Sequence, residues 1–179
     1  MTESKYIWMD GEFTPWNEAK VHVLSHTLHY GNGAIEGTKA YKTVDGRCAI
    51  FKLNEHTQRL LNSSKMTLMN VPFSLEELNK AQVELLQKNE LTNGAYIRPL
   101  VYLGYGVMGL YHKDAPVKVS ISAWEWGAYL GEEGLKKGVR VKISSFTRTP
   151  NTSGMGKAKS VANYMNSQMA KYEAVEAGY

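Results

Sequence analysis

Three cations stand where chemistry is possible: Lys159 in "GKAKSVANY", Arg59 in "EHTQRLL" and Arg98 in "AYIRPLVYL". A lysine attacks carbonyl groups when desolvation or a neighbouring cation lowers its pKa. Lys159 has Lys157 two positions away and the weakly solvating Ala158 and Val161 around it. The alternative reading, for any lysine near a helix start, is an ordinary surface charge. Arg59 offers a fixed fork of donors that fits a phosphate, or it is a solvated arginine on an amphipathic helix. Arg98 interrupts an apolar run, where a charge is rarely left without a partner such as a carboxylate; a structural ion pair answers that need as well as a ligand does.

A second group lies in "SHTLHYGNGAIEG". Its glycines at 31, 33 and 37 give G-x-G-x-x-x-G, the wrong spacing for a dinucleotide fingerprint. His22, His26 and His29 are expected to hydrogen-bond within a buried turn rather than to hold a metal. Tyr30, Tyr96, Tyr129, Tyr164 and Trp126 suit a core, with the tyrosine hydroxyls still requiring partners if buried.

The elements that must position these groups follow from pattern. Asp10-Gly11 and Asp45-Gly46 each stand between short apolar-rich runs and predict two tight hairpins, hence an antiparallel sheet. Asn54 is placed to cap a helix bearing Leu60, Leu61 and Met66. Ser74 and Glu77 form a capping-box pattern for a second helix, with Leu75, Leu78, Leu85 and Leu86 near one face and Gln82 the polar exception, ending about Asn89. "AYIRPLVYLG" and "VKVSISAWEW" read as strands, the second alternating through Val117, Val119 and Ile121. A composition change near Leu130 precedes an expected strand in "VRVKISSF". A polar loop, "TRTPNTSGMGKAKS", and a helix marked by Val161, Tyr164, Met165, Tyr172 and Val175 follow, with Gly178 as its C′ residue. The expected class is α+β: residues 1–130 form a small N-terminal domain, an antiparallel sheet with two helices packed on it. Residues 131–179 supply a mobile inter-domain loop and the first strand and helix of a second, α/β domain. One strand and one helix bury each other's apolar faces poorly, so that second unit reads as incomplete.

Composition narrows the function classes. The chain has 179 residues, of which 43% are hydrophobic, enough for a packed core. A single cysteine excludes an internal disulfide framework and favours a reducing cytoplasm. No run approaches the ~18 apolar residues of a membrane span, and the N-terminus lacks a basic-then-apolar leader. The net charge of +4 is dispersed among acids, with one dense cluster in "EEGLKKGVRVK" that reads as solvated face and strand edge, so neither nucleic acid nor membrane is expected as a partner.

Taken together, "KVHVLSHTLHYGNGAIEGTKAY", "EHTQRLLNSSK", "AYIRPL", "WGAYLG" and "KAKSVANYMNSQMAKYEAVEAGY" resemble the branched-chain amino acid aminotransferases, fold-type IV pyridoxal-phosphate enzymes, over residues 6–179. The resemblance implies pyridoxal 5'-phosphate as cofactor. Lys159 would form the Schiff base and shuttle a proton, Tyr164 would face the cofactor's phenolic oxygen, and Arg59 would bind its phosphate. Tyr96 would hold the substrate α-carboxylate. Arg98 would pair with the side-chain carboxylate of glutamate in a pocket otherwise walled by Tyr30, Ile35, Leu110, Trp126 and Tyr129 for Leu, Ile and Val. Tyr30 and Leu110 would reach in from a neighbouring subunit, implying a homodimer or a higher homo-oligomer. Ile35 stands where phenylalanine is commoner, and Lys39 where arginine is usual.

The same resemblance implies a longer second domain with a glutamate for the pyridine nitrogen, so the sequence reads as cut within that domain, with little or no transaminase activity alone. Amino acids and 2-oxo acids are the implied substrates, with a role in branched-chain amino acid biosynthesis. Two alternatives stay open: a D-amino acid transaminase or aminodeoxychorismate lyase of the same fold type, or a non-catalytic isolated domain.

Overall fold

A computed structural model describes residues 2–126, 131–148, 150 and 156–179. Seven strands form one sheet: β1 (Tyr6–Met9), β2 (Glu12–Pro15), β3 (Gly33–Ile35), β4 (Thr38–Lys42), β5 (Cys48–Ile50), β6 (Ala95–Leu103) and β7 (Val117–Trp124). The order is β2-β1-β7-β6-β4-β5, with β3 also on β6, and every pairing is antiparallel. The helices are α1 (His26–Tyr30), α2 (Leu53–Met66), α3 (Leu75–Lys88), α4 (Gly131–Lys137) and α5 (Tyr164–Glu176). The α+β class with two long helices on an antiparallel sheet is therefore as the sequence implies.

Strand alternation sends Ile97 and Val101 of β6 and Val119, Ile121 and Ala123 of β7 to one face, where all are fully buried against Leu60 of α2 and Leu78 and Leu85 of α3. Each fully buried aliphatic side chain of this size contributes roughly 1.5–3 kcal/mol. Ser74 and Glu77 make the reciprocal capping box at the start of α3, and its C-cap is Asn89. Gln82, the polar exception on that helix, is buried and donates to Thr57 Oγ1 (3.0 Å) and to the Leu78 carbonyl (3.2 Å).

Local details depart from expectation where neighbours compete. Asp10 and Gly11 both take positive φ, as a tight hairpin demands, but at the second turn only Gly46 does. The β4–β5 connection is a longer loop closed by Thr43 N–H to the Arg47 carbonyl. Asn54 does not cap α2. The helix starts two residues earlier, after Lys52, and Asn54 instead accepts from Asn79 Nδ2 of α3 at 2.6 Å. Of the three histidines only His26 is buried. His26 Nε2 lies 2.8 Å from the Gly109 carbonyl and His29 Nε2 2.9 Å from that of Val23, while His22 Nδ1 accepts from the Leu24 N–H.

β3 and β4 are one strand interrupted. Ile35 pairs with Leu100 and Thr38 with Ile97, which sets Glu36 opposite Pro99 and Gly37 opposite Arg98 in an unbroken register. Glu36 N–H donates to the Pro99 carbonyl (3.0 Å), but proline has no N–H to return, so the ladder lapses at residues 36–37.

The expected strand in "VRVKISSF" joins no ladder among the described residues. A strand exists only through a partner, and this segment instead lies along α5, where Lys142, Ser144 and Ser145 all bond Glu173. The C-terminal end of α5 closes as expected: Gly178 has φ 78°, with Gly178 N–H to the Val175 carbonyl and Tyr179 N–H to that of Ala174. The expected boundary at residue 130 lies outside the described residues.

Hydrogen bonds from the Ser144 hydroxyl and the Ser145 N–H bring the Glu173 carboxyl down from 4.5 to about 2. Because docking lowers this pKa, the carboxylate stabilises the docked segment in full above about 4.5 and loses that effect as pH falls through about 2. The Ser145 amide resonance, followed by acid titration, should report a midpoint near 2. The resonance should lose that transition in Glu173→Gln; a midpoint at the ordinary carboxylate value refutes the contact.

Candidate active site

Lys159 lies outside any helix or strand, but its backbone is held on both sides. Its N–H donates to Ser63 Oγ of α2 (3.0 Å), its carbonyl accepts from the Ile35 N–H of β3 (3.0 Å), and Ser160 bridges to Ala34. Ile35 is free to do this because, in its pair with Leu100, its N–H points away from β6. With the backbone bonded on both sides, the Lys159 side chain stays half-buried and its Nζ donates to Tyr164 Oη at 2.7 Å. Ser160 Oγ accepts from the Ala162 N–H at 3.3 Å, starting the short turn that places Tyr164 there.

Arg59 joins the same cavity, about 300 Å³ in volume, lined by Arg59, Arg148, Lys157, Lys159 and Tyr164 among others. Its guanidinium forks onto Glu36: Nε donates to Oε1 and Nη2 to Oε2 at 2.8 Å. His56, one helical turn away on α2, donates from Nδ1 to Oε2 at 2.9 Å. Glu36 is 1% exposed. Burial pushes its carboxyl up, but the bonds from Arg59 and His56 outweigh it and hold the group below the ordinary carboxylate value. Glu36 raises Arg59 in turn.

The other face of the sheet carries the remaining groups. Register puts Ile35 beside Leu100, Lys39 beside Tyr96, and Trp124 on the far side of Tyr96. Arg98, two residues along from Tyr96, donates from Nη2 to its hydroxyl at 2.8 Å. No carboxylate pairs with Arg98 among the described residues, and its buried Nε has no partner. Trp126 packs edge-on against the Tyr96 ring at 4.7 Å. Gly37 lies directly under Tyr96: a Cβ there would overlap the phenol oxygen and reach 2.8 Å from Cζ.

The structure thus gathers Arg59, Lys159 and Tyr164 at one cavity and Ile35, Tyr96, Arg98 and Trp126 on one face. Tyr30 and Leu110 stand elsewhere, exposed on α1 and on the β6–β7 loop. Tyr129 lies outside the described residues. Sequence reasoning missed Glu36, Ser63 and Gly37. Glu36 was accessible by the argument applied to Arg98, since it too is a charge inside an apolar run, "GAIEG". Ser63 carried no such signal.

The pattern of the Amino-transferase class IV family matches residues 33–179. A branched-chain-amino-acid aminotransferase of Pseudomonas aeruginosa is 47% identical over 172 residues, 96% of this chain and 55% of that protein. The crystal structure of the T.th. branched-chain amino acid aminotransferase with pyridoxamine 5'-phosphate superposes with a TM-score of 0.91 at 46% identity, covering 99% of this chain and 58% of that one. The same enzyme complexed with N-(5'-phosphopyridoxyl)-L-glutamate gives 0.90 at 42%, covering 99% and 57%. The chain therefore spans between 55% and 58% of the length of these proteins.

Gly37→Ala should force the Tyr96 hydroxyl aside and cost about 1–3 kcal/mol in urea unfolding, the usual scale of overpacking. Adding Tyr96→Phe, which removes the nearest atom, should recover part of that loss. Equal stability of parent and Gly37→Ala would show that the contact is slack.

Proposed function

The chain belongs to the amino-transferase class IV family, and from that premise we propose that its residues serve amino-group transfer between Leu, Ile or Val and 2-oxoglutarate with pyridoxal 5'-phosphate. The observation that carries this reading is the Lys159 amine and Tyr164 hydroxyl, 2.7 Å apart in a cavity that Arg59, Arg148 and Lys157 also line. No carboxylate is among the described residues lining that cavity, so its field suits an anionic ligand bearing a carbonyl group. These residues fit the cofactor.

When bound, pyridoxal phosphate supplies an aldehyde and an electron sink. Arg59 holds the phosphate through the guanidinium edge that Glu36 leaves open. Lys159 Nζ would be the amine that holds the cofactor and would carry a proton to and from the substrate α-carbon. Tyr164 Oη accepts a hydrogen bond from Nζ and orients it. Tyr96 positions the substrate α-carboxylate, while Ile35 and Trp126 wall a branched side chain. The unpartnered Nε of Arg98 supports its pairing with the second carboxylate of glutamate, which lets both substrate classes use one pocket. Residues 1–130 are the small α+β domain of this arrangement and 131–179 open the cofactor-binding domain.

A second copy of the chain completes the pocket. Val23, Leu28 and Tyr30 are exposed, as are Tyr105, Leu110 and Tyr111 on the β6–β7 loop. The two groups adjoin, because the His22 and Tyr105 rings lie 4.2 Å apart and His26 bonds the Gly109 carbonyl. A continuous apolar patch of this kind marks an interface, and a homodimer would bring Tyr30 and Leu110 of the neighbouring subunit to the site. Among the described residues no helix is long and apolar enough to cross a membrane, and the free Cys48 is compatible with a reducing cytoplasm.

Incubation with pyridoxal phosphate, borohydride reduction and peptide mass analysis should place the adduct on Lys159. Lys159→Ala should abolish it, whereas labelling scattered over surface lysines would refute the assignment. Sedimentation should show a dimer for the parent and a monomer for Leu110→Asp with Tyr111→Asp; a monomeric parent removes the shared pocket.

A further inference from the structure

We propose that Glu36 is a positioning residue for Arg59, one that sets the orientation in which the guanidinium meets a phosphate; this role rests on the cofactor reading given above. Arg59 is the one outward-reaching member of the cluster. Its side chain is 53% exposed, against 1% for Glu36. An arginine that exposed samples many rotamers, and each must be frozen when an anion binds. Here the freezing is done beforehand. Both Glu36 oxygens are engaged by Nε and Nη2 of Arg59, so the guanidinium plane is fixed and the Nη1 edge is left for the cavity it shares with Lys159 and Tyr164.

The carboxylate is itself prevented from turning. His56 Nδ1 donates to Oε2 at 2.9 Å and the Gly37 N–H to the same oxygen at 3.3 Å. The Glu36 backbone is fixed by its own bond to the Pro99 carbonyl. Glu36 sits at the lapse in the ladder, immediately after the Ile35 N–H that holds Lys159, so the phosphate ligand and the carbonyl-binding amine are indexed to adjacent residues of one strand.

A competing role for Glu36, simple neutralisation of Arg59, predicts the opposite sign. Removing the negative charge would then strengthen the attraction of Arg59 for a phosphate. Positioning predicts that it weakens.

The test compares pyridoxal 5'-phosphate with unphosphorylated pyridoxal, titrating each against the 179-residue chain and reading the absorbance of the bound form. The parent should prefer the phosphorylated compound. Glu36→Gln should lose about tenfold of that preference, the scale of ordering one rotamer-rich side chain, with affinity for pyridoxal itself unchanged. Glu36→Asp keeps the charge but draws it back by one methylene from Arg59 and should lose the preference too; with its folding checked by thermal melting, it decides the matter should the glutamine variant not fold. A preference unchanged or increased in the folded variants overturns the positioning role and leaves the cofactor reading intact. A parent with no preference for the phosphorylated compound overturns the cofactor reading and this role with it.

Discussion

The buried carboxylate of Glu36 is the interaction on which the site depends. A lone ionised carboxylate, 1% exposed, is costly to remove from water, and the fold accepts it because a guanidinium and an imidazole meet it from one face of α2. That requirement fixes where α2 lies over the sheet, since His56 and Arg59 reach Glu36 only if their side of the helix faces β3. Leu60, the next residue of the helix, then falls into the core. The charge cluster and the apolar contact set the same helix orientation by different physics.

Pro99 is the backbone counterpart of that cluster. By withholding an N–H it breaks β3 from β4 without shifting the register, and strand alternation there turns residues 35–37 in three directions. Ile35 offers its N–H to Lys159, Glu36 turns its side chain to α2, and Gly37 leaves room for the Tyr96 hydroxyl on the opposite face. The Lys159 end is held from the helix side as well, through Ser63. In the proposed role of Lys159, an amine whose backbone is bonded at both N–H and C=O loses little further freedom on reacting.

Much of the scaffold was legible because its signals are local. The capping box at Ser74, the Asp10-Gly11 turn and the strict alternation over Val117–Trp124 each need only neighbours in sequence. The failures are non-local. Asn54 is a sound capping residue, but Asn79 of α3 claims its side chain. The pattern in "VRVKISSF" is that of a strand, yet a ladder needs a second strand and none lies beside it among the described residues. In the site, Lys159, Tyr164 and Arg59 were singled out by residue type and by resemblance, and the cavity brings them together. Ser63 was hidden because its part is played through a backbone amide nearly a hundred residues away, which no spacing rule reports.

The alternation of the sheet also separates what must be kept from what is open to change. Along β6, odd positions such as Ile97 and Val101 are sealed into the core, while Tyr96 and Arg98 face the other way beside Ile35 and Lys39. A change at Ile35 or Lys39 therefore reshapes the pocket face without opening a cavity under the helices. Glu36, between them, faces α2 and is exempt from that freedom. In the proposed function, ligand shape and cofactor anchorage therefore fall to neighbouring residues on opposite faces of one strand. The two can diverge independently as long as the lapse at Pro99 keeps the register of residues 35–39 in place.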